Sequence, residues 1–94
     1  MKVEDIKVIA NLGTGTMGYG IALLYAMNGY EVRMFGRSDE SVNRGMTNIK
    51  AALEMYKKHD LVTEAEIPEI LARITGVTTI KEAVDGCDFV IEAI

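Results

Sequence analysis

The sequence predicts an α/β fold in which a parallel sheet carries helices on both faces. Short apolar, β-branched runs alternate with helical patterns along the chain, and every connection is long enough to be a crossover. A glycine-rich turn directly after the first run marks the passage from a strand into a helix. The four predicted strands would form the first half of a doubly wound sheet.

A strand, a helix and a second strand are predicted at the amino terminus. Residues 6–12 are mostly apolar and lead into the glycine turn, which predicts a buried strand, and its misfit Asn11 must find hydrogen bonds or face a cleft. Residues 17–28 have apolar positions at helical spacing, and Gly29 would end this helix in the left-handed conformation. The apolar positions of the helix are Ile21, Leu24, Tyr25 and Met27. Residues 30–35 resume as a second strand.

Two helices are predicted between the second and third strands. The first begins near Ser38 and runs for about five turns, because its apolar residues recur at steps of four and three. Thr63 and Glu66 have the spacing of a capping box, but Pro68 predicts a helix start one or two residues later, since its ring would clash deeper in the helix. The apolar stripes comprise Val42, Met46, Ile49, Leu53 and Tyr56 in the first helix, and Ile67, Ile70, Leu71 and Ile74 in the second.

The remaining elements complete the predicted sheet. Residues 74–77 are predicted as a third strand, residues 80–84 as a short helix and residues 89–94 as a fourth strand. The last run is apolar as in a buried parallel strand, and we expect the natural chain to continue beyond it. Residues 1–94 would then form one incomplete domain, whose open sheet edge predicts marginal stability or self-association.

Composition excludes several classes of function. The net charge of −4 disfavours nucleic-acid binding through bulk charge, and no apolar run approaches membrane-spanning length. One cysteine, Cys87, and one histidine, His59, provide neither an internal disulfide nor a usual zinc ligand set, so no metal is expected. The acidic start lacks the pattern of a secretory signal, which makes the cytoplasm the expected compartment.

Residues 13–18 match the fingerprint G-x-G-x-x-G between a predicted strand and a predicted helix. The first glycine permits the turn, the second lets a diphosphate approach the backbone, and the third lets the helix pack against the strand. The positive end of the helix attracts the diphosphate. A Rossmann-type domain that binds NAD or NADP is therefore predicted, a ligand-free turn being the alternative. The predicted phosphate loop consists of Gly13, Thr14, Gly15, Thr16, Met17 and Gly18.

The end of the second strand lacks the acid that NAD-preferring domains place about 20 residues past the glycines. Gly36 occupies that position, and Arg37 and Ser38 follow it. A guanidinium beside a hydroxyl, without a competing carboxylate, suits a ribose 2′-phosphate, so NADP is predicted to be favoured over NAD. The alternatives are that Arg37 stacks on the adenine of either cofactor or is a surface charge, and that Ser38 is only a helix cap.

Four segments together resemble the nucleotide-binding domain of 3-hydroxyacyl-CoA dehydrogenases, including the short-chain 3-hydroxybutyryl-CoA enzymes. They are residues 13–22, 29–32, 71–76 and 88–93, which read GTGTMGYGIA, GYEV, LARITG and DFVIEA. The resemblance implies hydride transfer between a 3-hydroxyacyl-CoA and its 3-oxoacyl-CoA. It places the catalytic histidine, glutamate, serine and asparagine of the family beyond the fourth strand, so no catalytic residue is expected within residues 1–94.

The resemblance also implies roles for individual residues. Gly36 and Arg37 would meet the adenosine ribose, and the backbone around Ala93 and Ile94 would line the cofactor cleft. The helical pair would approach the CoA portion of the acyl-CoA substrate, where lysines are candidate phosphate contacts or, alternatively, solvated charges. These lysines are Lys50, Lys57 and Lys58. The intact enzyme would form a homodimer through a second domain.

Two other functions remain open. A 3-hydroxyisobutyrate-type dehydrogenase shares the character of the glycine loop and an arginine after the second strand, but in that family the third strand arrives sooner. A module that binds a dinucleotide without catalysis, as a sensor or an assembly surface, is the alternative from another class.

Overall fold

Four strands and four helices alternate in the predicted order within residues 3–92, which the computed structural model describes apart from the side chains of Val3 and Thr16. After a 3-10 turn at Val3–Asp5, the elements are β1 (Val8–Leu12), α1 (Thr16–Met27), β2 (Glu31–Phe35), α2 (Asp39–Lys58), α3 (Glu66–Ala72), β3 (Ile74–Val77), α4 (Ile80–Val84) and β4 (Phe89–Glu92). The strands are all parallel, in the order β3-β2-β1-β4, which confirms the first half of a doubly wound sheet. The predicted strand residues Ala93 and Ile94 lie outside the described residues.

Helices α1, α2 and α3 cover one face of the sheet. The register places Ile9 beside Val32 and Val32 beside Ile74, so these side chains point to the same face. The helices bury their apolar sides against it, as the stripes of α2 and α3 predict. This core contains Ala22, Leu23, Ala26, Val32, Met34, Ile49, Leu53, Val62, Ile70 and Ile74.

Helix α4 covers the opposite face with a smaller core. Ala10 and Leu12 of β1 pack there against Ala83, and the half-buried Cys87 packs beside them. Arg33 of β2 points to this face and donates a hydrogen bond to the carbonyl oxygen of Asp85 at the end of α4. A cation at the negative end of a helix is favourable, so Arg33 helps to hold this short helix on the sheet.

Helix α1 forms as predicted and ends before Gly29, which has a φ of 92°. Its buried side, however, consists of Ala22, Leu23 and Ala26, while Leu24 is 57% exposed. Apolar residues lie almost all round this helix, and periodicity alone therefore predicts the helix but not the face that packs.

The predicted capping box before α3 is present. The amide of Thr63 donates to Oε1 of Glu66 at 2.8 Å, and the amide of Glu66 donates to Oγ1 of Thr63 at 3.2 Å. The helix itself begins at Glu66, which places Pro68 in its first turn, where a missing amide hydrogen costs little. The late start predicted from Pro68 is confirmed.

Strand β4 is less buried than its apolar sequence predicts. Phe89 is 49% exposed and Val90 is 47% exposed. Among the described residues β4 pairs only with β1, which leaves it at the edge of the sheet. Within residues 3–92, no helix is both long enough and apolar enough to cross a membrane.

Charged side chains hold the amino-terminal end of the sheet. Asp88 accepts hydrogen bonds at Oδ2 from the amides of Lys7 and Val8, both at 3.0 Å. These bonds, first the one from Lys7 and then the one from Val8, lower the pKa of the Asp88 carboxyl. Arg73 donates from Nη1 to the carbonyl oxygen of Ala26 at 2.8 Å and so caps the last turn of α1.

Candidate functional site

A cavity of about 240 Å³ opens at the carboxyl ends of β1 and β2. Parallel sheets bind their ligands at this end of the strands. The cavity brings together the glycine loop and the end of β2, two segments that are separated in sequence by the whole of α1. Its lining residues are Gly13, Thr14, Gly15, Phe35, Gly36, Arg37 and Ser41.

The glycine loop depends on two positions without a side chain. Gly13 has a φ of 146°, which residues other than glycine rarely adopt, and its amide donates to the carbonyl oxygen of Phe35 at 3.1 Å. At Gly18, a Cβ atom would lie 2.4 Å from the carbonyl oxygen of Gly13. The close packing expected of the first and third glycines is therefore present.

Gly15 differs from its neighbours because it faces open space. A Cβ atom there would meet no heavy atom within 4 Å, and Gly15 lines the cavity. The backbone of the loop is thus accessible to a ligand, and the amide of Tyr19 bonds to the carbonyl oxygen of Gly15 at 3.0 Å to begin α1. An exposed loop backbone at a helix amino terminus fits a diphosphate.

Gly20 follows the glycine loop on α1 and is exposed. A Cβ atom there would meet no heavy atom of the described residues within 4 Å, so packing among these residues does not require a glycine at this position.

Asn11, the polar misfit of β1, lies completely buried beneath the glycine loop. Its Nδ2 atom donates to the carbonyl oxygens of Gly18 at 2.8 Å and Gly13 at 3.2 Å. The donor half of the amide therefore finds the hydrogen bonds that its burial requires. Its Oδ1 atom has no hydrogen-bond partner among the described residues.

The end of β2 is closed to a side chain at Gly36. This residue is buried, its amide donates to the carbonyl oxygen of Val77 at 3.0 Å, and helix α2 packs directly over it. A Cβ atom there would lie 2.6 Å from Oγ of Ser41 and 2.8 Å from Cγ2 of Val42. An acidic side chain at this position would therefore require Ser41 and Val42 to shift.

Ser38 and Ser41 form a reciprocal cap at the start of α2. The amide of Ser41 donates to Oγ of Ser38 at 3.2 Å, and the amide of Ser38 donates to Oγ of Ser41 at 3.1 Å. Ser38 is thus a helix cap that does not line the cavity, and a contact between Ser38 and a cofactor remains a prediction. Sequence reasoning missed Ser41 and Phe35 as lining residues, although the Ser-x-x-Ser spacing is a recognisable capping signal.

Arg37 is exposed and lines the cavity, and among the described residues its side chain has no hydrogen-bond or ion-pair partner. The acidic residues Asp39 and Glu40 follow it in the first turn of α2. Met17 is 73% exposed in the first turn of α1 and does not line the cavity. The side chain of Thr16, and both Ala93 and Ile94, lie outside what the structure describes.

The three lysines lie on α2 away from the cavity. Nζ of Lys57 is 3.0 Å from Oε2 of Glu54, and the hydrogen bond to Glu54, with its charge, raises the pKa of Lys57. Lys50 and Lys58 are exposed. At a rise of about 1.5 Å per residue, Lys57 lies roughly 18 Å along the helix from Gly45, the residue that packs beside the loop. None of the three lysines lines the cavity.

The remaining candidate residues form no second candidate site within residues 3–92. His59 is exposed at the end of α2, in the break between the helices. Across residues 3–92, no group of three or more His, Cys, Asp and Glu side chains is placed to hold a metal ion.

The chain is similar in sequence to known proteins. A family model described as "3-hydroxyacyl-CoA dehydrogenase, NAD binding domain" matches residues 8–94. The "Probable 3-hydroxybutyryl-CoA dehydrogenase" of Bacillus subtilis is 37% identical over 90 residues, which cover 96% of this chain and 31% of the relative. A "Glycerol-3-phosphate dehydrogenase [NAD(P)+]" of Bacillus velezensis is 29% identical over 89 residues, which cover 95% of this chain and 23% of that protein.

A solved structure matches the fold as well. The crystal structure of (S)-3-hydroxybutyryl-CoA dehydrogenase from Ralstonia eutropha superposes with a TM-score of 0.89 at 38% identity. The match covers 94% of this chain and 31% of that one. The chain therefore spans less than a third of the length of each of these relatives.

Proposed function

The chain belongs to the family of NAD-binding domains of 3-hydroxyacyl-CoA dehydrogenases, and from this premise we propose that it holds a nicotinamide dinucleotide in the cavity between the glycine loop and the end of β2. The proposal rests on this cavity, which brings the glycine loop and the end of β2 together. The diphosphate would lie on residues 13–18, and the adenosine would lie against Gly36 and Arg37. The nicotinamide would point toward the backbone at Ala93 and Ile94, where the strand order reverses.

Within this site we propose a preference for NADP over NAD. Arg37 offers a guanidinium without a partner at the cavity, and the packing of α2 keeps a carboxylate from Gly36. Because the hydroxyl groups of Ser38 and Ser41 are engaged in the cap, the preference would rest on Arg37. The relative named for either cofactor is consistent with this proposal, whereas the carboxylates of Asp39 and Glu40 would reduce the preference.

Dissociation constants for NADPH and NADH, measured on the intact protein and on Arg37→Gln, test this preference. Loss of a charge-assisted contact should weaken NADPH roughly tenfold or more and leave NADH nearly unchanged. Arg44→Gln, an exposed arginine of α2 that does not line the cavity, is the matched control. Tighter NADH binding by the wild type would overturn the preference, and equal losses for both cofactors would indicate stacking on adenine.

For the intact protein we propose the reversible oxidation of a 3-hydroxyacyl-CoA to a 3-oxoacyl-CoA. A dinucleotide held on residues 13–18 would supply the hydride acceptor for the C3 hydrogen, and the hydroxyl proton would pass to a general base, a histidine that the family resemblance places beyond β4. Residues 1–94 would contribute cofactor binding without catalysis, and the intact protein would be a homodimer. Acetoacetyl-CoA should be reduced with either NADPH or NADH as donor. Cofactor binding without any such turnover would instead favour a non-catalytic module.

We also propose that the lysines of α2 contact the phosphates of CoA in the intact protein. Lys50 and Lys58 are exposed cations, whereas Lys57 is held by Glu54. Replacement of all three by alanine should raise the KM for acetoacetyl-CoA and leave kcat unchanged. Lys81→Ala, an exposed lysine of α4, is the control. An unchanged KM in the triple variant would overturn the contact.

A further inference from the structure

We propose that Asn11 is a positioning residue for the cofactor diphosphate. Its side-chain amide holds the peptide between Gly13 and Thr14 with the carbonyl group turned inward and the amide N–H turned toward the cavity. This role rests on the proposed function of the glycine loop and adds a residue that lies outside the fingerprint.

Two hydrogen bonds connect the side chain of Asn11 to the glycine loop. Nδ2 donates to the carbonyl oxygen of Gly13 at 3.2 Å and to that of Gly18 at 2.8 Å, the first and third glycines of the loop. One side chain thus joins the turn to the first turn of α1. Both hydrogens of the Nδ2 group are used, and the residue is fully buried.

Peptide geometry relates the direction of the Thr14 N–H to that of the Gly13 carbonyl. In a trans peptide, the carbonyl of one residue and the N–H of the next point in opposite directions. Holding the carbonyl of Gly13 against Asn11 therefore turns the N–H of Thr14 away from β1. Thr14 lines the cavity, so this N–H is directed to the side from which a diphosphate would bind.

The oxygen of the Asn11 side-chain amide is unpaired among the described residues. Oδ1 is buried without a hydrogen-bond partner among the described residues, so this side chain is a poor means of stabilising a core. Rotating the amide by half a turn would place Oδ1 against two carbonyl oxygens, which fixes its orientation. A leucine of similar size would remove the unpaired oxygen and the two donors together. Stability and cofactor binding should therefore respond differently to that change.

Asn11→Leu in the intact protein tests the role. The dissociation constants of NADPH and NADH should rise roughly tenfold. The melting temperature should stay close to that of the wild type, because removal of the unpaired Oδ1 offsets the loss of the two donors. The matched control is Asn28→Leu, since Nδ2 of Asn28 donates to the carbonyl oxygen of Leu24 at 2.7 Å near the other end of α1. This control should leave the affinity for both cofactors unchanged.

The results distinguish failure of the positioning role of Asn11 from failure of dinucleotide binding itself. A wild type that binds neither cofactor overturns the proposed function and this role with it. A wild type that binds, together with Asn11→Leu of equal affinity, overturns the role of Asn11 alone. A lower melting temperature alongside weaker binding, or loss of folded structure in both Asn11→Leu and Asn11→Val, also overturns it, because the amide would then serve the fold.

Discussion

The two ends of the sheet are held together in opposite ways. At the carboxyl end, the contacts are made by backbone, by uncharged side chains such as Asn11, and by glycines where a Cβ atom does not fit, as at Gly18 and Gly36. At the amino end, charged side chains bind backbone groups, as Asp88 and Arg73 do. The difference follows from what each end must leave free. A diphosphate site needs unpaired N–H groups and close approach, whereas the opposite end stabilises its N–H and carbonyl groups with the protein's own charges.

The largest expected effect is at the glycine end, with Gly18→Ala. The added methyl group would lie 2.4 Å from the carbonyl oxygen of Gly13, a backbone atom that cannot move without opening the loop. We expect a loss of about 3 kcal/mol in the free energy of unfolding and loss of cofactor binding. Urea denaturation and NADPH titration of the intact protein measure both quantities.

Gly20→Ala is the matched control for that change on the same helix. Its methyl group meets no heavy atom within 4 Å, so this variant should gain about 0.5 to 1 kcal/mol. Equal behaviour of the two alanine variants would contradict the close packing of α1 on the loop.

Gly36→Asp, at the glycine that follows β2, should have the second-largest effect. Because its Cβ would lie 2.6 Å from Oγ of Ser41, we expect a loss of about 2 kcal/mol rather than a new ribose contact. The variant should not bind NADH more tightly than the wild type does. Combination with Val42→Ala, which removes a second close contact, should recover part of the stability. A stable Gly36→Asp protein with improved NADH binding would contradict the steric account.

At the amino end, Arg73→Met should reduce stability and leave the site intact. The variant loses the 2.8 Å bond to the carbonyl oxygen of Ala26, which still accepts from the amide of Gly29. The expected loss is about 1 kcal/mol with unchanged affinity for NADPH, measured by urea denaturation and titration. Arg44→Met, at an exposed position, should change stability by less than about 0.5 kcal/mol. A loss of NADPH affinity would show that the two ends are coupled.

The smallest expected effect is a change in how the melting temperature depends on acid pH when Asp88 is replaced. Its folded pKa is lowered, so its contribution to stability is complete above the ordinary aspartate pKa of about 3.9 and is lost as the pH falls through the folded value. Asp88→Asn should therefore show a weaker decline in melting temperature below about pH 4 than the wild type. Asp85→Asn, an exposed aspartate three residues earlier, is the control for loss of one surface carboxylate. Identical acid profiles for Asp88→Asn and the wild type would contradict the role of the carboxylate.

Local chemistry explains why much of the site was predictable. The turn needs glycine at Gly13, the helix needs a small residue at Gly18, and Pro68 sets the start of α3 through its own ring. The close approach of α2 to Gly36 was not predictable, because it depends on Ser41 and Val42 arriving from a separate element.

The order of strands and helices, the position of the glycine loop and the resemblance to the family can all be read from the residues along the chain. They depend on residue spacing and on the conformations that glycine and proline permit. Three properties required the folded structure: the face of α1 that is buried, the contacts that Ser41 and Val42 would make with a side chain at Gly36, and the hydrogen bonds from Asn11 to the carbonyls of Gly13 and Gly18. Those properties arise from distances in space between a strand and the helix that follows it, and such distances exist only once these elements have packed together.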